Sequence, residues 1–513
     1  MPEHLRALVM ILVLAGMVFA AARPYACAAA MQDVDFVRRR NVWFALTLAA
    51  FLAHDFWLFI GLAAVLLLLF ALRAEPNKLA LYFFVLLAVP AIHAEIPGFG
   101  IVENFFTIEY LRLLSLAILL PAWLVLRIRP GAEPFGRSNA DKLLLAYLVL
   151  QFCLQLPHTT LTEALRRGVF YAFIDVFLPY YVASRAARDL AALRDALMAF
   201  VLAALVAAAI AVFEFARHWL LYAPLEDALG VDWGLLNYVE RGDGLLRAQA
   251  STGHPIILGY ILAVALCLGL YLRKSVPPTR WRDAVIVLLA AGLVATLSRG
   301  PWIGAAVMVL AFVGTGPRAL TRLAKLGVAG LCVVPLLLVS PGGQGLVDYL
   351  PFVGTIDAQN VAYRERLFEV SLGVVLENPF FGAWDFMQLP VMQQLIQGEG
   401  IIDVVNSYLF VALASGLVGL ALFCGFFLVV LVELFAAMRR AGDRDGEPRA
   451  LGRALFCALL GILVIIATTS SIVLIPVVYW SIAGLAQGYA RAPALARAGE
   501  TEPDGDSRLI VAG

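Results

Sequence analysis

Charge is scarce in this sequence. Of its 513 residues 15% are Asp, Glu, Lys or Arg, against 62% hydrophobic, and the mean hydropathy is +0.88. A soluble globular chain of this size cannot hide so much apolar surface, so hydrocarbon has to act as its solvent. The net charge is +1, which leaves no global basic field to neutralise phosphates and argues against nucleic acid as a partner. Cysteine is sparse too: Cys27, Cys153, Cys267, Cys332, Cys424 and Cys457 are scattered, mostly in apolar runs, without a C-x-x-C pair or a His spacing that would hold zinc. They are expected to pack the core. Also missing are a G-x-x-x-x-G-K-[ST] loop, an H-E-x-x-H pair and a dinucleotide fingerprint. ATP-driven transport and zinc hydrolysis therefore lack support, and neither metal nor cofactor is expected. No repeat of solenoid or propeller period appears, nor a duplicated half of the transporter kind.

What is present is a succession of apolar runs. A backbone in lipid must satisfy its own hydrogen bonds, so these runs predict helices over about 5–22, 42–72, 79–93, 111–126, 142–157, 165–183, 196–216, 255–272, 283–298, 301–316, 326–340, 404–437, 454–470 and 472–490. The run 42–72 is too long for one crossing and carries His54-Asp55 at its middle, which predicts a hairpin of two short helices. The expected fold is an all-α polytopic transmembrane bundle of about 12–15 helices with a long periplasmic loop between late ones. Met1 to Ala22 could pass for a secretory signal, with Ala26-Cys27-Ala28 resembling a cleavage site, but Arg38-Arg39-Arg40 is hard to export, so a retained first helix is expected.

Lys and Arg fall on alternate loops: 38–41, 73–78, 127–142, 184–194, 273–282, 317–325 and 438–453 are basic, which assigns them to the cytoplasm. The opposite face then carries 94–110, 218–253, a turn at Ser298 to Pro301 supplied by Gly300 and Pro301, and the stretch 341–403 with an amphipathic pattern over Tyr363 to Leu376. The expected organisation is 1–240 as N-terminal transmembrane helices, 241–437 as a core containing the periplasmic loop 341–403, 438–490 as C-terminal transmembrane helices, and 491–513 as a disordered cytoplasmic tail.

Polar groups at membrane depth or on the outer face are costly and so informative. Thr296-Leu297-Ser298-Arg299-Gly300-Pro301-Trp302-Ile303-Gly304 places a guanidinium at the membrane surface, as a ligand or as a snorkelling anchor. Tyr363-Arg364-Glu365-Arg366 opens an amphipathic segment running to Glu377-Asn378-Pro379-Phe380-Phe381-Gly382. Arginine suits a phosphate ligand because its planar fork donates two parallel hydrogen bonds and stays charged; the alternative is a solvated face with Glu365 and Glu369 pairing the arginines. Arg247 precedes Gly253-His254-Pro255 at a helix start, where His254 could act as a base, bind phosphate, or serve the fold alone. Asp175 is a further buried acid expected to pair with Arg166 or Arg167, and Asp443-Arg444-Asp445 reads as solvated charge.

In this order the segments resemble the O-antigen ligase and O-antigen polymerase superfamily of bacterial envelope membrane proteins, over about residues 240–437. The resemblance is completed by Asn406-Ser407-Tyr408-Leu409 leading to Gly416-Leu417-Val418-Gly419-Leu420. It implies transfer of a glycan from an undecaprenyl-diphosphate carrier to an acceptor glycan, at the outer leaflet of a bacterial inner membrane, with a chain-length regulator as a further partner. Arg299, with Arg364 or Arg366, matches family positions that hold the diphosphate, and Arg247 is a further candidate. One departure matters: family ligases commonly carry a His immediately before the Asn of the Asn-x-Tyr-Leu segment, where this chain has Val405. Valine accepts no proton, so Asp403 or His254 is the candidate base. The loss favours a repeat-unit polymerase over a ligase. A secondary transporter or flippase, with a pathway lined by Asp175, Glu214 and the arginines, is the rival of different class.

Overall fold

The computed structural model describes residues 1–98, 104–130, 133–186, 189–231, 244–276, 280–339, 358–396, 402–441, 446–472 and 474–491. The tail after Arg491, the Asp443-Arg444-Asp445 triplet and parts of the 341–403 stretch lie outside these. Helices dominate, as hydrocarbon requires. Six are long and apolar enough to cross a membrane among the described residues: Glu3–Ala29, Tyr110–Ile128, Leu190–Arg217, Pro255–Ser275, Ser407–Arg440 and Glu447–Ile466. Two shorter apolar helices are Phe56–Ala71 and Arg299–Gly314. The other expected spans also form helices, though 79–93 is helical only over Lys78–Val85. The chain is thus an all-α polytopic membrane protein.

The long run 42–72 divides where its polar pair stands. One helix ends at Leu52, His54 takes φ 55°, and the Asp55 carboxylate accepts from the Leu58 amide at 2.8 Å to cap the next helix at Phe56. The departure from an all-helical reading is a small antiparallel hairpin, His93–Pro97 against Asn104–Glu109, in the loop expected at 94–110. Its alternation of exposed and part-buried residues is the period-two signal, too short to stand out beside the helices.

One continuous hydrophobic core runs through the bundle, with Trp43, Tyr82, Tyr110, Tyr180, Tyr222, Tyr260 and Tyr271 fully buried. Outside it, large apolar side chains such as Leu62, Val149, Leu428 and Val432 face outward, an inverted surface that only lipid tolerates. The cysteines are only partly core residues. Cys267 and Cys457 are buried, whereas Cys153 and Cys424 are exposed on outward helix faces, where a small apolar thiol meets lipid as readily as protein.

At one end of the bundle buried Arg39, inside the helix Asp33–Leu52 that takes in the expected loop 38–41, holds Glu75 at 2.7 Å and Asp195 at 2.6 Å. Helix ends meet on Asp141, which pairs with Arg185 at 2.7 Å and Arg491 at 3.1 Å. At the other end His4 stacks edge-on with His54, and the Trp219 indole donates to Glu3. Fully buried Glu214 accepts there from the Leu221, Gln249 and Ala250 amides at 3.1, 2.9 and 2.8 Å, pinning the chain just ahead of His254. Asp175 pairs with Arg112 at 2.9 Å rather than with Arg166 or Arg167; Arg166 instead donates to the Asn104 carbonyl. Distance along the helix decides this: Arg166 and Arg167 lie about two turns before Asp175, whereas Arg112 sits on the neighbouring helix facing it, also resting 3.7 Å above the Tyr171 ring.

The same end carries a second, smaller core built from Leu367, Val374, Val375, Phe386, Met392, Leu395, Val404 and Leu413. It joins the amphipathic helix Ala358–Glu377 to the start of the Ser407–Arg440 helix. That second helix is broken at Gly416, with φ 63° and ψ −167°. The break leaves backbone groups unpaired, and the Asn378 to Gly382 segment fills it: Leu417 N donates to Pro379 O at 2.8 Å, Val418 N to Phe380 O at 3.2 Å, and Ala383 N to Leu413 O at 2.8 Å. Two motifs far apart in sequence are therefore one interlocked feature.

Candidate functional site

Thr296 to Ser298 turns the chain between two helices, and the turn is built differently from expectation. Leu297, not a glycine, takes the left-handed φ of 47°, Ser298 is the N-cap position, and Arg299 already begins the next helix. Gly300 and Pro301 lie inside that helix and serve packing. A Cβ on Gly300 would stand 2.5 Å from the Thr468 hydroxyl, and Pro301 abuts Gly259 so closely that a Cβ there would lie 2.9 Å away. The turn closes on itself through Ser298 Oγ to Thr296 O at 3.0 Å and the Trp302 indole to Leu293 O at 2.9 Å.

Arg247 comes to this turn from the preceding loop. Its Nη2 donates to Ser298 Oγ at 2.9 Å and its Nε to Thr296 O at 3.4 Å, while the next amide, Ala248 N, donates to Ala295 O. His254 stands close enough for the Arg247 charge to act on it. Burial first, then that charge, pushes its imidazole down to about 4, so it is neutral at ordinary pH. Its Nδ1 accepts from Ile256 N at 3.2 Å as the cap of the Pro255 helix, which leaves the proton on Nε2.

Arg364 enters from the amphipathic helix. Partial burial lowers its pKa, Asp403 acts to raise it, and Arg299 lowers it, so the three charges sit within reach of one another. A guanidinium stays charged under any such shift. The adjacent Tyr363 hydroxyl donates to the Asp403 carbonyl at 3.2 Å, fixing the helix against that segment. Arg364 and Arg366 are both exposed, but Arg366 lies two residues on, roughly 200° around the helix, so the two arginines cannot face the same point.

Asp403 precedes the Ser407 helix, whose cap is Asn406, accepting from Tyr408 N at 3.0 Å and Leu409 N at 3.1 Å. Val405 packs toward the smaller core. The Asp403 Oδ1 accepts from Ser470 Oγ at 2.6 Å. Hydropathy makes Ser470 the end of an apolar span over 454–470, yet the helix stops at Ile466 and Thr468 to Ser471 form a loop. Four hydroxyl residues in succession between two apolar helices were the available signal.

The structure thus gathers Arg247, His254, Arg299, Arg364 and Asp403 at one end of the bundle, from four separate stretches of chain, and turns Arg366 away. Two strong positive charges beside one carboxylate can bind a multiply charged anion, with the carboxylate left to take a proton.

A multi-pass membrane protein with arginines and one carboxylate gathered at one end is the class that fold and site define. Residues 284–424 match the family model described as O-antigen ligase, which is consistent with a member of the O-antigen ligase and polymerase superfamily. The match lies inside the 240–437 stretch where the resemblance was expected. It contains Arg299, Arg364, Arg366 and Asp403, and leaves Arg247, His254 and Ser470 outside. No curated protein matches the chain.

Proposed function

We propose that this protein is a polysaccharide polymerase, extending glycan repeat units carried on undecaprenyl diphosphate at the periplasmic face of the bacterial inner membrane. The observation that carries the reading is that three separate segments are tied together: the Tyr363 hydroxyl joins the helix of Arg364 to Asp403, and the loop of Thr468 and Ser470 joins Asp403 to the helix start at Arg299. In the reaction the bond between the sugar C1 and the diphosphate oxygen breaks, and its electron pair leaves with the diphosphate. Arg299 and Arg364 stabilise that growing charge more than they stabilise the bound donor, which is what lowers the barrier. The acceptor hydroxyl attacks C1 and gives its proton to Asp403. Arg247 holds the turn that carries Arg299 and adds to the positive field.

Asp403 is preferred to His254 as the base because the Nδ1 of His254 is spent on its helix cap. Polymerase is preferred to ligase because Val405 occupies the position where ligases commonly keep a histidine. A transporter is disfavoured because its candidate acids are already engaged, Glu214 by three backbone amides and Asp175 by Arg112. The core of the activity is assigned to 241–437.

The test is a chromosomal deletion complemented with wild type, Arg299→Ala, Arg364→Ala or Asp403→Asn, with lipid-linked and surface glycans resolved by gel and mass spectrometry. Accumulated single repeat units identify a polymerase. Full-length polymer left on its carrier identifies a ligase-type transferase instead. Unchanged glycans in the deletion, or full rescue by both arginine variants, overturn the diphosphate clamp.

A further inference from the structure

We infer that the loop between the last two helices, Glu447–Ile466 and Leu474–Arg491, completes the site, with Ser470 as the positioning residue for the Asp403 carboxylate. The inference rests on the reading above that Asp403 takes the acceptor's proton. It extends the machinery beyond the family match, which ends at residue 424.

The loop touches both halves of the site. On one side Thr468 Oγ1 packs against Gly300, directly after Arg299. On the other, Ser470 Oγ lies 2.6 Å from Asp403 Oδ1 and 3.1 Å from Val404 O. A hydroxyl has a single proton, and the shorter contact to the charged oxygen takes it. The loop is itself held down: Ser407 Oγ donates to Thr469 O at 2.7 Å and accepts from Ser471 Oγ at 2.7 Å. Ser407 stands one residue past the Asn406 cap, so the segment carrying Asp403 and the loop carrying Ser470 are stitched together at adjacent points. A carboxylate on an irregular segment ahead of a helix can rotate about its side-chain bonds. Engaging Oδ1 from a fixed loop removes that freedom and leaves Oδ2 as the oxygen presented to the acceptor hydroxyl. A base displaced by about 1 Å forfeits on the order of a hundredfold in rate.

The test uses the full-length protein in lipid nanodiscs, with the lipid-linked repeat-unit glycan extracted from the deletion strain as donor and acceptor. Threonine and valine have the same shape and differ by the hydroxyl, so Ser470→Thr and Ser470→Val isolate the hydrogen bond. Ser470→Val is expected to lower kcat about ten- to a hundredfold with KM for the donor unchanged, because the arginines that bind the diphosphate are untouched. Ser470→Thr restores most of the rate. In an Asp403→Asn background, Ser470→Val adds no further loss, since both act through one group. If Ser470→Val does not fold, Ser470→Ala gives the same comparison with less bulk. Wild-type kcat in Ser470→Val, a rise in KM in place of a fall in kcat, or an additive loss with Asp403→Asn overturns the inference. A wild-type protein that polymerises nothing overturns the proposed function itself, and is seen before any Ser470 variant is compared.

Discussion

Gly416 and Gly382 face each other across the interlock that seats the amphipathic helix, and replacing either with alanine tests how the Arg364 side of the site is held. Gly416 has φ 63° and ψ −167°, a region of backbone space that is open to glycine and costs other residues about 1–3 kcal/mol. A Cβ there would also overlap the Phe380 carbonyl, and one on Gly382, at φ 70°, would stand 2.6 Å from Gly416 N. Neither obstacle is the flexible end of a side chain. Relief requires the Asn378 to Gly382 segment to withdraw, giving up the hydrogen bonds from Leu417, Val418 and Ala383. At roughly 1 kcal/mol net for each, with strain added, Gly416→Ala should cost about 3–6 kcal/mol. Thermal unfolding of purified protein in detergent reads this as a Tm lowered by several degrees, with transfer activity falling alongside. Gly373→Ala is the control: the position is helical with no atom within 4 Å of the added Cβ, so it should leave stability unchanged or raise it by up to ~1 kcal/mol. A Gly416→Ala protein that melts with wild type would refute the interlock.

Two further outcomes follow from buried charge. Arg39→Met takes from Asp195 its cation and leaves Glu75 with Arg38 at 3.4 Å, and a loss of about 3–5 kcal/mol is expected in the same melting assay; a change below ~1 kcal/mol would show that the Arg39 pairs do not hold this end together. His254 has a folded pKa near 4 against an ordinary value of 6.5, so the unfolded chain binds the extra proton between those values. Its contribution is fully present above pH 6.5 and is lost as pH falls toward 4, by about 3 kcal/mol at most. His254→Asn, a cap that does not titrate, should flatten that part of the stability profile; an unaltered slope would show that His254 is not its source.

Asp403 was legible as a candidate from its place two residues before the missing histidine, and Arg299 and Arg364 from motif and chemistry. What could not be read was which arginine of the 364 and 366 pair meets Arg299, because helical phase relative to a distant segment is a property of packing. The same holds for Asp175, whose true partner Arg112 is 63 residues away. Ser470 was hidden for another reason: hydropathy averages over a window, and the apolar helices on either side absorbed four hydroxyls.

Composition and hydropathy by themselves determined that the chain lives in lipid and where most of its helices lie, because unpaired backbone in hydrocarbon is too costly, and that the run at 42–72 turns at His54-Asp55, because it is too long for one crossing and a polar pair at its middle is costly in lipid. Only the tertiary structure decided that the Asn378 to Gly382 segment plugs the break at Gly416, that Gly300 is a contact glycine, and that Ser470 reaches Asp403. These depend on surfaces meeting at van der Waals distance, and no local preference along the chain encodes which surfaces those are.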